Sequence, residues 1–237
     1  MSNLQDRLQE AFPIHYRSGN ILLINADCME GMKYIKDKEI NLACVDPPYG
    51  ISVGGSKPFG SVGGSKYCEV KIYKTFDDSK PPEQRYFGEL RRVSKNQILF
   101  GANHFVSKIP IDSSCWVVWD KDNSGNFADC ELAWTSFNTA VRKFTYRWNG
   151  MLQEDMKNKE HRIHPTQKPV KLYEWLLKNY AKEGDRILDT HLGSGSIAIA
   201  CWNMGYSLTG YEIDKDYYDA AIRRLDEHEK QKCFVFS

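Results

Sequence analysis

The feature that most constrains the fold is a glycine-containing loop close to the C-terminus. Residues 186–189 have the apolar character of a buried strand, and Leu192-Gly193-Ser194-Gly195-Ser196 follows them. An apolar helix is predicted over residues 197–204, and the next strand ends at Glu212. This order is typical of sites that hold a nucleotide ribose, because glycines let the backbone approach the ligand and a carboxylate accepts the ribose hydroxyls.

The spacing within this segment predicts an adenosine-type cofactor without identifying it. Glu212 lies 19 residues after Gly193, close to the spacing of roughly 20 in nucleotide-binding units. Gly193-x-Gly195-x-x-Ala198 also fits the pattern of nicotinamide dinucleotide enzymes. A dehydrogenase is therefore one alternative at this point.

The position of the loop in the chain predicts a permuted sheet. Only about 50 residues follow Arg186, too few for a complete doubly wound sheet. The sheet must be completed by N-terminal strands, predicted at residues 20–25 and 41–45, with a helix capped by Asp27 between them. We therefore predict one α/β domain over residues 1–237 with a doubly wound, mostly parallel, circularly permuted sheet. Asp27 is expected on the strand beside the glycine loop, and Asp46 across the cleft.

A rigid cluster of hydrogen-bond acceptors ends the second N-terminal strand. Its sequence is Asp46-Pro47-Pro48-Tyr49. The two prolines stiffen the turn and donate no backbone N–H, so the free groups are the Asp46 carboxylate and the Pro47 carbonyl. They suit a planar ligand that stacks on Tyr49 and donates the N–H groups of an amine. The alternative is an aspartate that merely ends a strand before a proline-rich loop.

Two segments are candidates for contacting a polyanion. Residues 50–81 contain a duplicated Ser-Val-Gly-Gly-Ser-Lys stretch, and we predict a mobile loop that closes over substrate and offers Lys57 and Lys66 to phosphates. Residues 121–163 interleave cations with aromatic rings and are a candidate target-recognition region. Its candidate DNA-binding residues are Arg142, Lys143, Arg147 and Arg162. A solvated linker and a solvated hairpin are the respective alternatives.

The remaining segments are predicted from pattern alone. Residues 1–19 show no clear period and are expected to form an arm. Helices are expected over residues 83–93 and after Pro169, and strands over residues 97–100 and 115–119.

The amino-acid composition limits the classes of function that this chain can have. Lys and Arg number 32 against 31 Asp and Glu, so any nucleic-acid surface must come from local clustering. The seven cysteines form no CxxC pair, which favours reduced thiols in a cytoplasmic protein over disulfides or a zinc site. His164 and His191 are too isolated to predict a metal site. No apolar run approaches membrane-spanning length.

The motifs together resemble the β class of S-adenosylmethionine-dependent DNA amino-methyltransferases, which methylate adenine N6 or cytosine N4. The resemblance is carried by Asn25-Ala26-Asp27-Cys28, residues 46–49, residues 164–169, the glycine loop and residues 210–212, in the permuted order of that class. It implies a Rossmann-like methyltransferase fold in which Asp46, Pro47, Pro48 and Tyr49 form the catalytic motif. It also implies double-stranded DNA as the partner, with the target base flipped out of the duplex.

The resemblance assigns cofactor contacts residue by residue. Asp27 would contact the adenine end of S-adenosylmethionine and Glu212 its ribose. Asp189, Gly193 and Gly195 would surround the methionine part, and Thr166 and Lys168 would help to hold its carboxylate. One departure is Asp189-Thr190-His191 where the family usually has Asp-Pro-Phe, so that the imidazole of His191 replaces a phenyl contact.

Within the family, Asp at the first motif position accompanies adenine N6 and Ser accompanies cytosine N4. Asp46 therefore predicts an adenine-N6-specific, site-specific DNA methyltransferase of the restriction-modification type, acting without a metal. The alternatives are cytosine N4, the dehydrogenase, a DNA-binding module without turnover, and methylation of RNA or protein. A homodimer is a further option, because a compact recognition region would benefit from a second subunit.

Overall fold

The computed structural model describes residues 3–51, 78–109, 111–123, 128–149 and 152–235. Most of the segment predicted as a mobile loop, including Lys57 and Lys66, lies outside the described residues.

Helices and strands alternate along most of the chain. The first half contains α1 (Leu4–Ala11), β1 (His15–Ser18), β2 (Ile21–Asn25), α2 (Cys28–Met32), β3 (Ile40–Val45), α3 (Gln84–Val93) and β4 (Ser94–Phe100). The second half contains β5 (Trp116–Asp120), β6 (Cys130–Thr135), β7 (Arg142–Thr145), β8 (Trp148–Asn149), β9 (Leu152–Gln153), α4 (Val170–Tyr180), β10 (Arg186–Asp189), α5 (Ser196–Met204), β11 (Ser207–Glu212) and α6 (Lys215–Val235).

One nine-stranded sheet has the order β1-β2-β11-β10-β3-β4-β6-β5-β7. The five strands from β2 to β4 in this order are parallel to their neighbours. β1 pairs antiparallel with β2, and β6 pairs antiparallel with both β4 and β5. The two C-terminal strands β10 and β11 lie between the N-terminal strands β2 and β3, as the permuted order predicted.

The parallel strands read as continuous apolar runs because both faces of the sheet are covered. In β3, Leu42 and Cys44 face one apolar core, while Ala43 and Val45 face the other. Residues of α4, α5 and α6 pack in the first core, and residues of α1, α2 and α3 pack in the second. In the part of the chain described, no helix combines the length and apolarity that crossing a bilayer requires.

The N-terminal segment is not the arm that the sequence predicted. Residues 4–11 form a helix, and Leu4 and Leu8, one turn apart, are buried in the core. Gln5 is also buried, and its amide donates to the carbonyl of Asn20 at 2.9 Å. With two apolar contacts in only eight residues, the helical period is too short to recognise in sequence, and tertiary packing stabilises the helix.

The candidate recognition region contributes to the main sheet. The sequence showed residues 121–163 as irregular, but β6 lies between β4 and β5, with Ala133, Trp134 and Thr135 buried. β7 extends the sheet beyond β5 as its outer strand, and it carries Arg142 and Lys143 on exposed positions.

Asp27 lies further from the glycine loop than predicted. The neighbour of β2 is β11, so one strand separates Asp27 from β10 and its loop. The helix that Asp27 caps is also shorter than predicted, because it ends at Met32 rather than near Ile35.

We expect Leu8→Ala to destabilise the protein by about 2–5 kcal/mol, because it empties a fully buried position of the core. Glu10→Ala, at an exposed position of the same helix, is the matched control, with an expected change of about 0.5 kcal/mol or less. Urea unfolding of the two variants measures the difference. Equal effects would show that α1 contributes nothing to the core.

Candidate active site

Three carboxylates meet where neighbouring parallel strands end. Glu212 ends β11, Asp189 ends β10, and Asp46 follows directly after β3. These strands are adjacent in the sheet, and ligands of open α/β sheets bind at the carboxyl ends of such strands. The structure therefore brings the predicted catalytic motif and the glycine loop to one edge.

The turn at residues 46–49 is fixed by hydrogen bonds at both ends. The Tyr49 hydroxyl donates to Asp46 Oδ1 at 2.6 Å. The backbone N–H groups of Tyr49 and Gly50 both donate to Asp78 Oδ1, at 2.6 and 2.9 Å. Pro47 is buried beside them. The turn is thus held as one rigid unit, in agreement with the stiffness expected from its two prolines.

The Tyr49 ring rests on a surface that sequence reasoning missed. It stacks on the His104 ring, with centroids 5.1 Å apart and planes 16° from parallel. Gly101 has φ +65°, and a Cβ placed there would lie 2.0 Å from the Tyr49 ring. Glycine at position 101 therefore makes room for the ring. A glycine that follows a predicted strand is a sequence signal, but it does not say what approaches it.

Lys168 links the two halves of the site. Its ammonium group forms an ion pair with Asp46 Oδ2 and a second one, at 3.1 Å, with Glu131 Oε2. Its side chain is 3% exposed, and its Nζ lies 4.7 Å from the centre of the Phe100 ring. The Lys168 carbonyl accepts a hydrogen bond from Ser196 Oγ at 2.7 Å, at the start of the helix that follows the glycine loop. The amine predicted to hold a cofactor's carboxylate is thus engaged by two carboxylates of the protein.

Glu131 is a second residue that the sequence did not reveal. It projects from β6, and its Oε1 lies 2.5 Å from Lys121 Nζ. Burial opposes its ionisation, but the ammonium groups of Lys168 and Lys121 outweigh this and lower its pKa to about 2. Burial also raises the pKa of Asp46, and Lys168 counteracts that rise. A glutamate within an apolar strand was the available signal, and the sequence could not show which cations face it.

The glycine loop is pinned by the carboxylate predicted to bind a ribose. Glu212 Oε2 accepts from the N–H of Gly193 at 2.7 Å, and Oε1 accepts from that of Asp214 at 2.9 Å. Gly193 and Gly195 have φ of +52° and +70°, which side chains rarely adopt. Burial raises the pKa of Glu212. The two glycines and the carboxylate hence form one preorganised loop.

Asp189 and His191 lie on the other side of this loop. Asp189 is 2% exposed and accepts from the N–H of His191 at 3.0 Å, and burial raises its pKa to about 8. His191 Nδ1 lies 2.9 Å from Thr190 Oγ1, which lies 2.6 Å from the Tyr86 hydroxyl. Burial lowers the pKa of His191 to about 4, so the ring is neutral at pH 7. The unusual Thr-His pair is therefore part of a hydrogen-bonded chain, and its imidazole is an uncharged ring.

Asp27 and Thr166 are the remaining predicted cofactor residues, and each makes a hydrogen bond within the protein. Asp27 is exposed and caps α2 by accepting from the N–H of Met29 at 2.8 Å. Thr166 Oγ1 lies 3.0 Å from His164 Nδ1. The His164 ring packs on Tyr217 at 4.3 Å, and burial lowers its pKa to about 4.

The described DNA-binding candidates lie on β7 and in the segments that follow it. Lys143 pairs with Asp120 at 3.2 Å, and Arg147 Nε donates to Asp122 at 3.0 Å. Arg162 donates to the carbonyl of Pro165 at 2.7 Å, and its guanidinium lies over the ring of Trp148. Within the described ranges, no three His, Cys, Asp or Glu side chains are grouped so that they could hold a metal ion.

A family model and a relative of known class match this chain in sequence. A family model described as DNA methylase matches residues 119–223, which include Glu131, Lys168 and the glycine loop but not Asp46. The Type II methyltransferase M2.DpnII of Streptococcus pneumoniae is 22% identical over 247 residues, covering 90% of this chain and 92% of the relative. The predicted resemblance to the DNA amino-methyltransferases is confirmed.

Solved structures show the same fold. The M1.HpyAVI-SAM complex superposes with a TM-score of 0.57 at 18% identity, covering 87% of this chain and 99% of that one. The cytosine-N4-specific PvuII DNA methyltransferase superposes with a TM-score of 0.57 at 12% identity, covering 88% of this chain and 87% of that one. The predicted Rossmann-like methyltransferase fold is confirmed.

We expect Gly101→Ala to destabilise the protein more than Gly19→Ala does. Both glycines have positive φ, so alanine costs about 1–2 kcal/mol of backbone strain at either position. Nothing lies within 4 Å of a Cβ at Gly19, whereas at Gly101 the Tyr49 ring must move, which adds about 1–3 kcal/mol. Denaturant unfolding measures both costs. Equal costs would show that Tyr49 does not depend on the space at Gly101.

Proposed function

We propose that this protein transfers a methyl group from S-adenosylmethionine to the exocyclic N6 amine of adenine in double-stranded DNA. The match to the DNA methylase family and the similarity to a Type II methyltransferase support a DNA amino-methyltransferase. The observation that carries the proposal is the meeting of Asp46 with the glycine loop at one edge of the sheet, joined through Lys168.

The residues at the glycine loop fit S-adenosylmethionine. Gly193 places backbone, without a side chain, beside the carboxylate of Glu212, which suits the close approach of a ligand. At Gly195 a Cβ would lie 3.1 Å from the Ala221 Cβ, so that glycine lets the loop pack against α6. The buried carboxyl of Asp189 lacks an ion-pair partner among the described salt bridges, and the ammonium of the methionine part would supply a cation there. Asp27 would contact the adenine end. When bound, the cofactor supplies a methyl group on a sulfonium centre.

Asp46 and Pro47 supply the chemistry that the amine needs. An exocyclic adenine amine is a weak nucleophile, because its lone pair is delocalised into the ring. The Asp46 carboxylate and the Pro47 carbonyl would accept its two hydrogens and localise that lone pair on nitrogen. As the nitrogen lone pair bonds to the methyl carbon, the carbon–sulfur bond would break and its electron pair would stay on sulfur, which leaves as a neutral thioether. The positive charge that develops on nitrogen would be stabilised by the Asp46 carboxylate. The nitrogen then loses one proton, for which Asp46 provides a nearby acceptor.

The target base must leave the duplex to reach Asp46. Extrusion costs a few kcal/mol, which stacking on an aromatic ring helps to offset. Tyr49 is the proposed ring, and its contact with His104 means that the base either takes the opposite face or displaces that imidazole.

The surrounding DNA would be held by the basic residues predicted from the sequence. Lys57 and Lys66, in the segment 50–81, are proposed to contact phosphates. In the recognition region 121–163, Arg142, Lys143, Arg147 and Arg162 are proposed to contact DNA. Lys143 and Arg147, now paired with Asp120 and Asp122, would exchange those partners for phosphates.

The identity of Asp46 supports adenine N6, because serine stands at this position in most cytosine-N4 enzymes of the family. A structurally similar protein is cytosine-N4-specific, so the product must be identified directly. We expect DNA methylated by this protein to yield N6-methyl-2′-deoxyadenosine on digestion to nucleosides and mass analysis. N4-methylcytosine as the sole modified base would contradict the adenine assignment.

Two substitutions separate the proposed roles. We expect Asp46→Ala to abolish methyl transfer while calorimetric titration still shows cofactor binding, because the side chain contacts the amine rather than the donor. Glu212→Ala should do the reverse and primarily weaken cofactor binding, because it removes both the ribose acceptor and the anchor of Gly193. If Asp46→Ala lost cofactor binding and retained transfer, the roles would be wrongly assigned.

A further inference from the structure

Four charged side chains form a partly buried cluster beside the catalytic motif, with exposed fractions of 3% for Lys168, 17% for Asp46, 18% for Lys121 and 23% for Glu131. Lys168 contacts both Asp46 and Glu131, and Lys121 contacts the far oxygen of Glu131. They come from separate parts of the fold: the turn after β3, β6, the residue after β5, and the segment before α4. Two carboxylates and two ammonium groups balance, so the cluster has no net formal charge.

Removal of Lys168 would favour protonation of Asp46. Two carboxylates that share one ammonium repel each other once it is gone, and burial further favours protonation of one of them. Glu131 retains Lys121 as a partner. Asp46 is therefore the carboxyl that would take up a proton.

Protonation of Asp46 would change its hydrogen-bonding capacity. An ionised carboxylate only accepts hydrogen bonds, whereas a carboxylic acid places a donor on one oxygen. Asp46 already accepts from Tyr49 and Lys168, and it needs a remaining acceptor position for an amine. A neutral Asp46 would hold that amine poorly.

Lys168 is itself held in place from both ends. Its carbonyl accepts from Ser196 Oγ, and that hydroxyl also accepts from Arg224 at 2.9 Å. At the other end, Glu131 Oε2 lies 3.1 Å from the ammonium, and Lys121 fixes Glu131. Without Glu131, the ammonium would be drawn fully onto Asp46, which would then be a weaker acceptor for substrate.

We infer that Lys168, oriented by Glu131, is a positioning residue that keeps Asp46 ionised and aimed at the amine in the methyl transfer proposed above. This inference rests on the proposed function, since the aimed carboxylate is the one that accepts the amine's hydrogen.

The other titratable groups facing Asp46 do not substitute for Lys168. Burial raises the pKa of Tyr49, Tyr86 and Tyr173 well above the ordinary value, and it does the same for the Cys44 thiol, so all four stay protonated. Asp189 adds a further negative charge where it ionises. Lys168 is therefore the cation that contacts Asp46 among the described residues.

The test compares kcat against pH for Lys168→Met and Glu131→Gln, at saturating cofactor and DNA. Because only ionised Asp46 accepts the hydrogen of the amine, kcat rises as the pH passes through the pKa of Asp46. Lys168→Met raises that pKa, so kcat should fall about 100-fold or more at pH 7 and recover partly at higher pH. Glu131→Gln removes a negative charge and should lower kcat about 10-fold without moving the rise to higher pH. Cofactor binding should be unchanged in Glu131→Gln.

The matched control is Lys171→Met, at an exposed lysine that pairs with Glu174 in the first turn of α4. It should retain wild-type kcat and pH profile. A wild-type profile for Lys168→Met, or a uniform loss without displacement along the pH axis, would overturn the inference. If Lys168→Met does not fold, Glu131→Gln decides: reduced kcat with intact cofactor binding supports the inference, and unchanged kcat overturns it.

A stability measurement is independent of activity. In Lys168→Met the pKa of Asp46 lies above its unfolded value, so the folded state holds the proton more tightly and stability falls as pH rises towards the folded pKa. The melting temperature of Lys168→Met should therefore drop, relative to wild type, between about pH 5 and pH 8. Adding Asp46→Asn should remove this dependence.

If wild type transfers no methyl group but this dependence appears, the ion pair stands and the proposed function fails. If wild type is active and the dependence is absent, the proposed function stands and the inferred role of the ion pair fails.

Discussion

The ion pair between Lys168 and Asp46 is the interaction on which the site depends. Burying a carboxylate costs free energy unless a cation and hydrogen bonds compensate for the lost water. Lys168 and the Tyr49 hydroxyl provide that compensation at Asp46, and Glu131 balances the added positive charge. The same lysine is bonded through its carbonyl to the helix that follows the glycine loop. One residue thus contacts both the acceptor cluster and the helix that follows the glycine loop.

Much of the fold follows from local sequence pattern. The strand, glycine loop and helix over residues 186–204 and the strand ending at Glu212 are predicted closely, because continuous apolar runs and glycines at positive φ are local requirements. The permuted order was also predicted, and the structure places β10 and β11 between β2 and β3. Asp46, Asp189 and Glu212 meet as expected, because parallel strands bring their carboxyl ends to one edge.

What the sequence did not reveal depends on contacts between distant segments. Glu131 looks like an isolated charge in an apolar strand until Lys121 and Lys168 are seen to face it. The space at Gly101 has meaning only once the Tyr49 ring is placed against it. The first helix offers just two apolar contacts, and the β6 strand that enters the sheet is mixed in composition. No periodicity within a single segment encodes these pairings.

The permuted strand order also affects how the chain acquires its structure during synthesis. β2 and β3 are synthesised early, yet β2 pairs with β11 and β3 pairs with β10, which are both synthesised much later. Until then the nascent chain carries apolar strands with unpaired edges, and closing the sheet requires very long loops to form. The central sheet therefore cannot be completed before β10 and β11 have been synthesised, and its many contacts between distant residues favour slow folding.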